Sequence, residues 1–156
     1  MCQCGCATEL ALRRAYPYFL SMSTDPPITS SEAITQGLRV AVRARYSAEH
    51  SDPQAGRWFF IYTIRLTNEG SETLQLISRH WVISDGTGHA EEVRGPGVVG
   101  EQPELEPGQD FEYSSGCPLP TPFGSMRGSY QMSCADGSRF DAEIAEFDLR
   151  QPRALH

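Results

Sequence analysis

The chain contains no lysine. Its 13 basic residues are all arginines, and they are scattered (Arg13, Arg14, Arg39, Arg43, Arg45, Arg57, Arg65, Arg79, Arg94, Arg127, Arg139, Arg150, Arg153) instead of gathered into a patch. Against 20 acidic residues they leave a formal net charge of −7, which repels nucleic acid and anionic lipid. The exclusive use of arginine reads as a compositional bias of the source genome. Long hydrophobic runs are also missing. No stretch approaches the roughly 18 apolar residues of a membrane helix, and Arg13 and Arg14 interrupt the apolar part of the N-terminus, which argues against a signal peptide. Of five cysteines only Cys117 and Cys134 lie in the body of the chain. That excludes a disulfide framework and suits a reducing cytoplasm. None of the four histidines (His50, His80, His89, His156) sits in a catalytic motif, so the expectation is a protein that is not an enzyme.

What is present begins with a contrast. Residues 1–35 combine a Cys-rich start, a short apolar piece from Leu10 to Tyr18, and then Ser, Thr and Pro. This reads as a flexible extension, with Met22 as an alternative start. Cys2, Cys4 and Cys6 offer thiolates to a soft metal, but at a closer spacing than structural zinc pairs and with no fourth ligand.

Residues 36–156 read as one domain, and from Leu38 the apolar residues recur at every second position, the period of strands with one buried face. Leu38, Val40, Val42 and Ala44 form a first strand, and Trp58, Phe60, Tyr62, Ile64 and Leu66 a longer second one. Asn68, Glu69 and Gly70 supply turn chemistry. The third strand starts with Leu74 and Leu76 on one parity and continues with Trp81 and Ile83 on the other, which predicts a bulge between Ile77 and His80. Ala90–Arg94 makes a short strand, Glu106-Pro107-Gly108-Gln109 a type II turn, and Phe111 and Tyr113 share a face. Met126–Cys134 alternates most cleanly, and Asp136-Gly137 turns the chain into a return strand. That strand carries Phe140, Ala142 and Ile144, then Phe147 and Leu149, with a bulge near Ala145. Seven to eight short strands without a helical repeat indicate an all-β chain folded as an antiparallel β-sandwich.

Three clusters carry the candidate chemistry. Gly95, Gly97 and Gly100 stand at GxGxxG spacing. The dinucleotide fingerprint also needs a helix start behind it, and here Pro103, Pro107 and Gly108 follow instead. His80, Asp85 and His89, with Glu91 and Glu92, flank one turn and are candidate ligands for a borderline divalent ion. Glu101, Glu104, Glu106, Asp110 and Glu112 form an acidic region suited to solvation, diffuse cation attraction or a basic partner. Cys134 falls on the inward parity of a strand and reads as core, whereas Cys117, before Pro118, reads as a loop thiol.

The segments R-H-W-V-I-S-D-G (Arg79–Gly86), V-R-G-P-G-V-V-G-E-Q-P-E-L-E-P-G (Val93–Gly108), F-E-Y-S-S-G (Phe111–Gly116) and T-P-F-G-S-M-R-G-S-Y-Q-M (Thr121–Met132) resemble the ApaG family, in the right order and from about Leu38 to His156. The resemblance implies a fibronectin type III-like (immunoglobulin-like) sandwich. It implies a link with cobalt resistance and magnesium efflux, and with genes beside a diadenosine tetraphosphate hydrolase. Related eukaryotic domains in F-box and polymerase-interacting proteins are protein-binding modules. The family's glycine motif, proposed to bind nucleotide or pyrophosphate, maps onto Gly95, Gly97 and Gly100. The expectation is therefore a non-catalytic module that docks a protein partner, without a cofactor. Nucleotide or diadenosine tetraphosphate binding at the glycine stretch and direct divalent-metal binding are the alternatives. An unpaired edge strand would also permit a homo-oligomer.

Overall fold

Because side chains alternate across a strand, each apolar set of period two can be buried only if a second sheet covers it. The computed structural model describes residues 27–152 and does this with nine strands. They are β1 (Thr29–Thr35), β2 (Leu38–Tyr46), β3 (Trp58–Asn68), β4 (Leu74–Asp85), β5 (Ala90–Pro96), β6 (Glu104–Leu105), β7 (Asp110–Leu119), β8 (Phe123–Cys134) and β9 (Arg139–Arg150). One sheet runs β1-β2-β3-β7 and the other β5-β4-β8-β9, with β6 added on β4, and all pairings are antiparallel. The expected β-sandwich is thus the fold, and two short 3-10 turns, Ala48–His50 and Pro53–Ala55, occupy the loop after β2.

One boundary moves. The stretch expected to be a flexible extension to residue 35 contains β1, which pairs with β2 from Thr29 opposite Ala44 to Thr35 opposite Leu38. Gln36 and Gly37, both at positive φ (47° and 87°), make the tight turn between them. Period-two reasoning misses β1 because its sequence, T-S-S-E-A-I-T, buries no residue fully and alternates only between half-buried and exposed. What holds it is hydroxyl chemistry. Thr29 Oγ1 donates to the Asp148 carbonyl, Ser31 Oγ donates to the Ala145 carbonyl (2.7 Å), and Glu143 N–H donates to Thr35 Oγ1 (3.1 Å). One long side of the sandwich, β1 against β9, is closed by these bonds. Cys2, Cys4, Cys6 and Met22 lie outside the described residues.

Both bulges form. In β4 the register breaks between Leu76 and Ser78, and in the β8–β9 pair it breaks between Met126 and Gly128, so Ala145 and Glu146 bulge against Arg127. Each shifts the inward face by one residue and keeps both halves of its strand in the core. The core centres on Trp81, whose ring packs edge-on against Tyr62 (5.5 Å), Phe147 (6.0 Å) and Tyr130 (6.4 Å). Such pairs add roughly 0.5–1.5 kcal/mol each beyond their burial. Gly128 lies beneath this cluster, and a Cβ there would stand 2.1 Å from the His80 carbonyl oxygen. The predicted type II turn is present, with Gly108 at φ 88° and Gln109 N–H donating to the Glu106 carbonyl at 2.9 Å.

Asn68 is more than a turn residue. It closes β3, is fully buried, and its Nδ2 donates to the carbonyls of Glu72 (2.7 Å) and Leu105 (2.9 Å) while its Oδ1 accepts from Gly70 N–H (3.0 Å). One amide thus ties the β3–β4 turn to β6. Replacing it with alanine strands buried carbonyls, each costing about 1–3 kcal/mol. Asn68→Ala should lower the urea midpoint by an amount matching a loss of about 2–4 kcal/mol. An unchanged midpoint would show that water replaces the amide.

Candidate functional site

The opposite long side of the sandwich, between β5 and β7, is where the two sheets part. A cleft of about 410 Å³ opens there, lined by the apolar and aromatic faces of Tyr62, Trp81, Tyr113, Val98 and Leu119 among others, with Arg79 inside and Asp85, His89 and Glu91 on its lining. Its walls follow from the β4 bulge. Had the parity of Leu74 and Leu76 continued, His80 and Val82 would face inward. After the break it is Arg79, Trp81, Ile83 and Asp85 that line the cleft.

The bulge also organises the glycine stretch. The Ile77 carbonyl at the break accepts from Gly97 N–H (2.8 Å) and from Gln102 Nε2 (2.8 Å), which pins the β5–β6 connection onto β4. Arg79 Nη1 in turn donates to the carbonyls of Pro96 (3.0 Å) and Gly97 (2.7 Å). Its guanidinium lies flat against Gly95, where a Cβ would come within 3.2–3.3 Å of three of its atoms. At Gly97, with φ 60°, a Cβ would stand 2.3 Å from the Glu101 carbonyl oxygen. Val98 and Glu101 exchange two backbone bonds of 2.8 Å around a tight turn whose central residues, Val99 (φ 43°) and Gly100 (φ 80°), are both left-handed. A β-branched residue in that region is strained by roughly 1–2 kcal/mol. Val99 nevertheless reaches the cleft and packs against the core.

The glycines expected to cradle a phosphate are therefore held in a different role. Gly95 gives room to a guanidinium, Gly97 to a carbonyl, and the amides of Gly97, Val98 and Glu101 are committed to protein carbonyls. No helix follows them; the next element is the two-residue strand β6. The positive group at this place is Arg79, not a row of free amides.

Of the proposed metal ligands, His80 is separated from Asp85 and His89. His80 faces the outside of its sheet, where Nε2 lies 2.8 Å from Glu92 Oε1, and Glu92 also pairs with Arg94 (3.2 Å). That pairing holds the Glu92 carboxyl below its usual range, chiefly through the His80 hydrogen bond. Asp85 belongs to the opposite face, and its Oδ1 accepts from Thr87 Oγ1 (2.6 Å), Thr87 N–H (2.8 Å) and His89 N–H (3.3 Å). The Thr87 hydroxyl is the main reason its pKa is lowered. His80, Asp85 and His89 do not converge. Among the described residues a different trio does: ligand atoms of Glu72, Cys134 and Asp136 lie within 4.8 Å of one another.

The acidic region is divided as well. Asp110 pairs with Arg65, Glu112 with Arg43 (3.7 Å), and Glu69 and Glu32 with Arg39 (2.6 and 3.1 Å), all on solvent-exposed side chains of the first sheet. Exposed pairs of this kind contribute about 0–1 kcal/mol each. They make that outer face a solvated lattice of opposite charges.

The two cysteines exchange the roles expected of them. Cys117 is not in a loop but on β7, buried in the lining of the cleft, and desolvation pushes its thiol from 9.0 up to about 12, with the Glu91 charge adding to the rise. Cys134 is half-buried, at the rim of the core. Sequence reasoning also missed Arg79, Tyr62, Tyr113 and Val99 as site residues. The available signal was that Arg79 shares the inward parity of Trp81 and Ile83.

Comparison with known proteins places this geometry. The ApaG domain family model matches residues 48–134. Protein ApaG of Bordetella pertussis is 56% identical over 119 residues, covering 76% of this chain and 91% of that protein. Protein ApaG of Aromatoleum aromaticum is 56% identical over 126 residues, covering 81% and 99%. A crystal structure of an ApaA protein from Bordetella pertussis superposes with a TM-score of 0.73 at 55% identity, over 75% of this chain and 95% of that one.

Cys117 generates a prediction. Thiolates, not thiols, react, so iodoacetamide at pH 8 should label Cys134 and leave the peptide containing Cys117 unmodified until urea unfolds the chain. Between pH 9 and 12 the unfolded thiol ionises while the folded one stays protonated, so stability falls as pH rises through that window. Cys117→Ala should flatten that part of the curve, and an unaltered alkaline slope would mean the thiol is not buried as described.

Proposed function

The chain belongs to the ApaG domain family, and from that premise we propose that it is a non-catalytic binding module that recognises a protein partner along the open side of its sandwich. The observation that carries this reading is the asymmetry of the two long sides. β1 and β9 are laced together by hydroxyl-to-backbone bonds, whereas β5 and β7 flank an aromatic cleft. An unpaired strand beside an apolar cleft is the arrangement that captures an extended segment, the backbone supplying affinity and the cleft specificity. Val93, on β5 and 36% exposed, stands at its mouth. The outer face of the other sheet is crossed by ion pairs instead. The family's association with cobalt resistance and magnesium efflux then acts through the partner.

A photo-crosslinking residue placed at Val93 in cells should yield a defined adduct, while the same residue at Arg43, on the outer face, should not. Equal or absent adducts at both positions would refute the open side as the binding surface.

A second reading, direct divalent-ion binding, draws on the convergence of Glu72, Cys134 and Asp136, a mixed thiolate and carboxylate set suited to a borderline ion. Cobalt(II) added to the purified protein should produce a thiolate-to-metal charge-transfer band that Cys134→Ser abolishes. A spectrum without that band, or one that survives Cys134→Ser and His80→Ala alike, would remove this reading.

A further inference from the structure

We propose that the cleft receives the C-terminal carboxylate of an extended peptide whose last side chain is apolar, and that Arg79 is the residue that binds the carboxylate. This rests on the reading of the chain as a partner-binding module. It adds what the partner must present there.

Arg79 is the cation of the cleft. It is half-buried in the cleft lining, and both hydrogens of Nη1 are spent on the Pro96 and Gly97 carbonyls. Its Nε and Nη2 donors have no protein partner among the described residues, and no carboxylate there pairs with it. Arg39, Arg43, Arg65, Arg94 and Arg150 have acidic partners, and Arg57, Arg127 and Arg139, which have none among the described residues, are exposed, whereas Arg79 is half-buried. The guanidinium is also held in place, flat on Gly95 and fastened to two carbonyls, so its remaining fork of donors is pre-set. A planar, fixed fork suits a carboxylate bidentately.

The surroundings choose among anions. Beside Arg79 lie the rings of Tyr62, Trp81 and Tyr113, and the Tyr113 hydroxyl shares a hydrogen bond with the Tyr130 hydroxyl, which burial keeps protonated. These walls take an apolar group. The rim carries Asp85 and Glu91, and the Glu91 charge is felt as far inside as Cys117. One guanidinium against two carboxylates repels a polyphosphate but admits a terminal monoanion preceded in the chain by a basic residue, whose charge the rim complements. About 410 Å³ is near the lower end of the roughly 300–1,000 Å³ typical of ligand sites. That is room for a terminal residue, not for a dinucleotide. The edges of β5 and β7 then accept the extended backbone leading out.

The test uses the full chain, immobilised, and two pools of N-acetylated hexapeptides ending in Phe, Leu or Val with the other positions random, one pool as free acids and one as C-terminal amides. Free acids should be retained at least about tenfold over amides, the scale of a lost charge-assisted contact, and retained sequences should be rich in Arg or Lys upstream. Arg79→Gln should erase the preference for acids. Arg79→Lys, which keeps the charge without the fork, should weaken the best peptide about tenfold and serves if Arg79→Gln loses its folded amide spectrum. Glu91→Arg, on an exposed strand, should erase the preference for basic positions. Equal retention of acids and amides would overturn the carboxylate inference while leaving the binding-module reading intact, since that stands on the Val93 adducts. Three other outcomes also overturn it: retention of neither pool, an acid preference that survives both Arg79 variants, and 3-phenylpropanoate alone competing as tightly as the best peptide, which would mark a small-acid site. Displacement of the peptides by diadenosine tetraphosphate at equal concentration would do the same in favour of a polyphosphate.

Discussion

The carbonyl of Ile77 is the point on which the open, cleft-bearing side of this molecule depends. Inserting one residue into β4 frees that carbonyl from the ladder, and it accepts from Gly97 and Gln102 instead. The same insertion rotates the rest of the strand by one residue, so that Arg79 joins Trp81 and Ile83 on the inner face. A single irregularity therefore seats the glycine stretch and places a cation beside the aromatic wall of the cleft. A one-residue slip in a strand exchanges its two faces, and β4 uses that slip in mid-strand so that one end packs in the core and the other lines the cleft.

The two long sides of the sandwich are then finished by different chemistry. Edge strands invite unwanted pairing and must be covered or blunted. β1 is short of apolar residues but rich in hydroxyls, and Thr29, Ser31 and Thr35 bond to the backbone of β9 and so cover it. β5 carries Glu91, Glu92 and Arg94, charges that discourage casual strand addition while leaving the edge accessible. The result is one closed side and one open side. The ion pairs on the outer face of the first sheet contribute little energy but keep that face solvated, which leaves the cleft as the place with both apolar area and a fixed charge.

The GxGxxG pattern shows how a motif and its structural role separate. Its spacing suggests a phosphate cradle, which works through unpaired backbone N–H groups at the start of a helix. In this fold the stretch follows a strand and returns to a strand, and the amides of Gly97, Val98 and Glu101 bond to neighbouring carbonyls. Its glycines make room instead. Gly95 admits a guanidinium and Gly97 a carbonyl, and what the stretch presents to the cleft is a fixed arginine and a strained valine.

By itself the sequence determined the all-β class, the positions of β2, β3, β8 and β9, both bulges and the type II turn, because each has a local physical cause: a two-residue burial period, a switch of parity, or a Pro-Gly pair at fixed offsets. The ApaG likeness was equally legible in its motifs. β1 was not, since it is held by hydroxyls that bond to a strand more than a hundred residues away. Nor were the burial of Cys117, the separation of His80 from Asp85 and His89, the convergence of Glu72, Cys134 and Asp136, or the position of Arg79. Each depends on which edge of which sheet a strand occupies and on what faces it there, and strand order is set by non-local pairing that no local periodicity encodes.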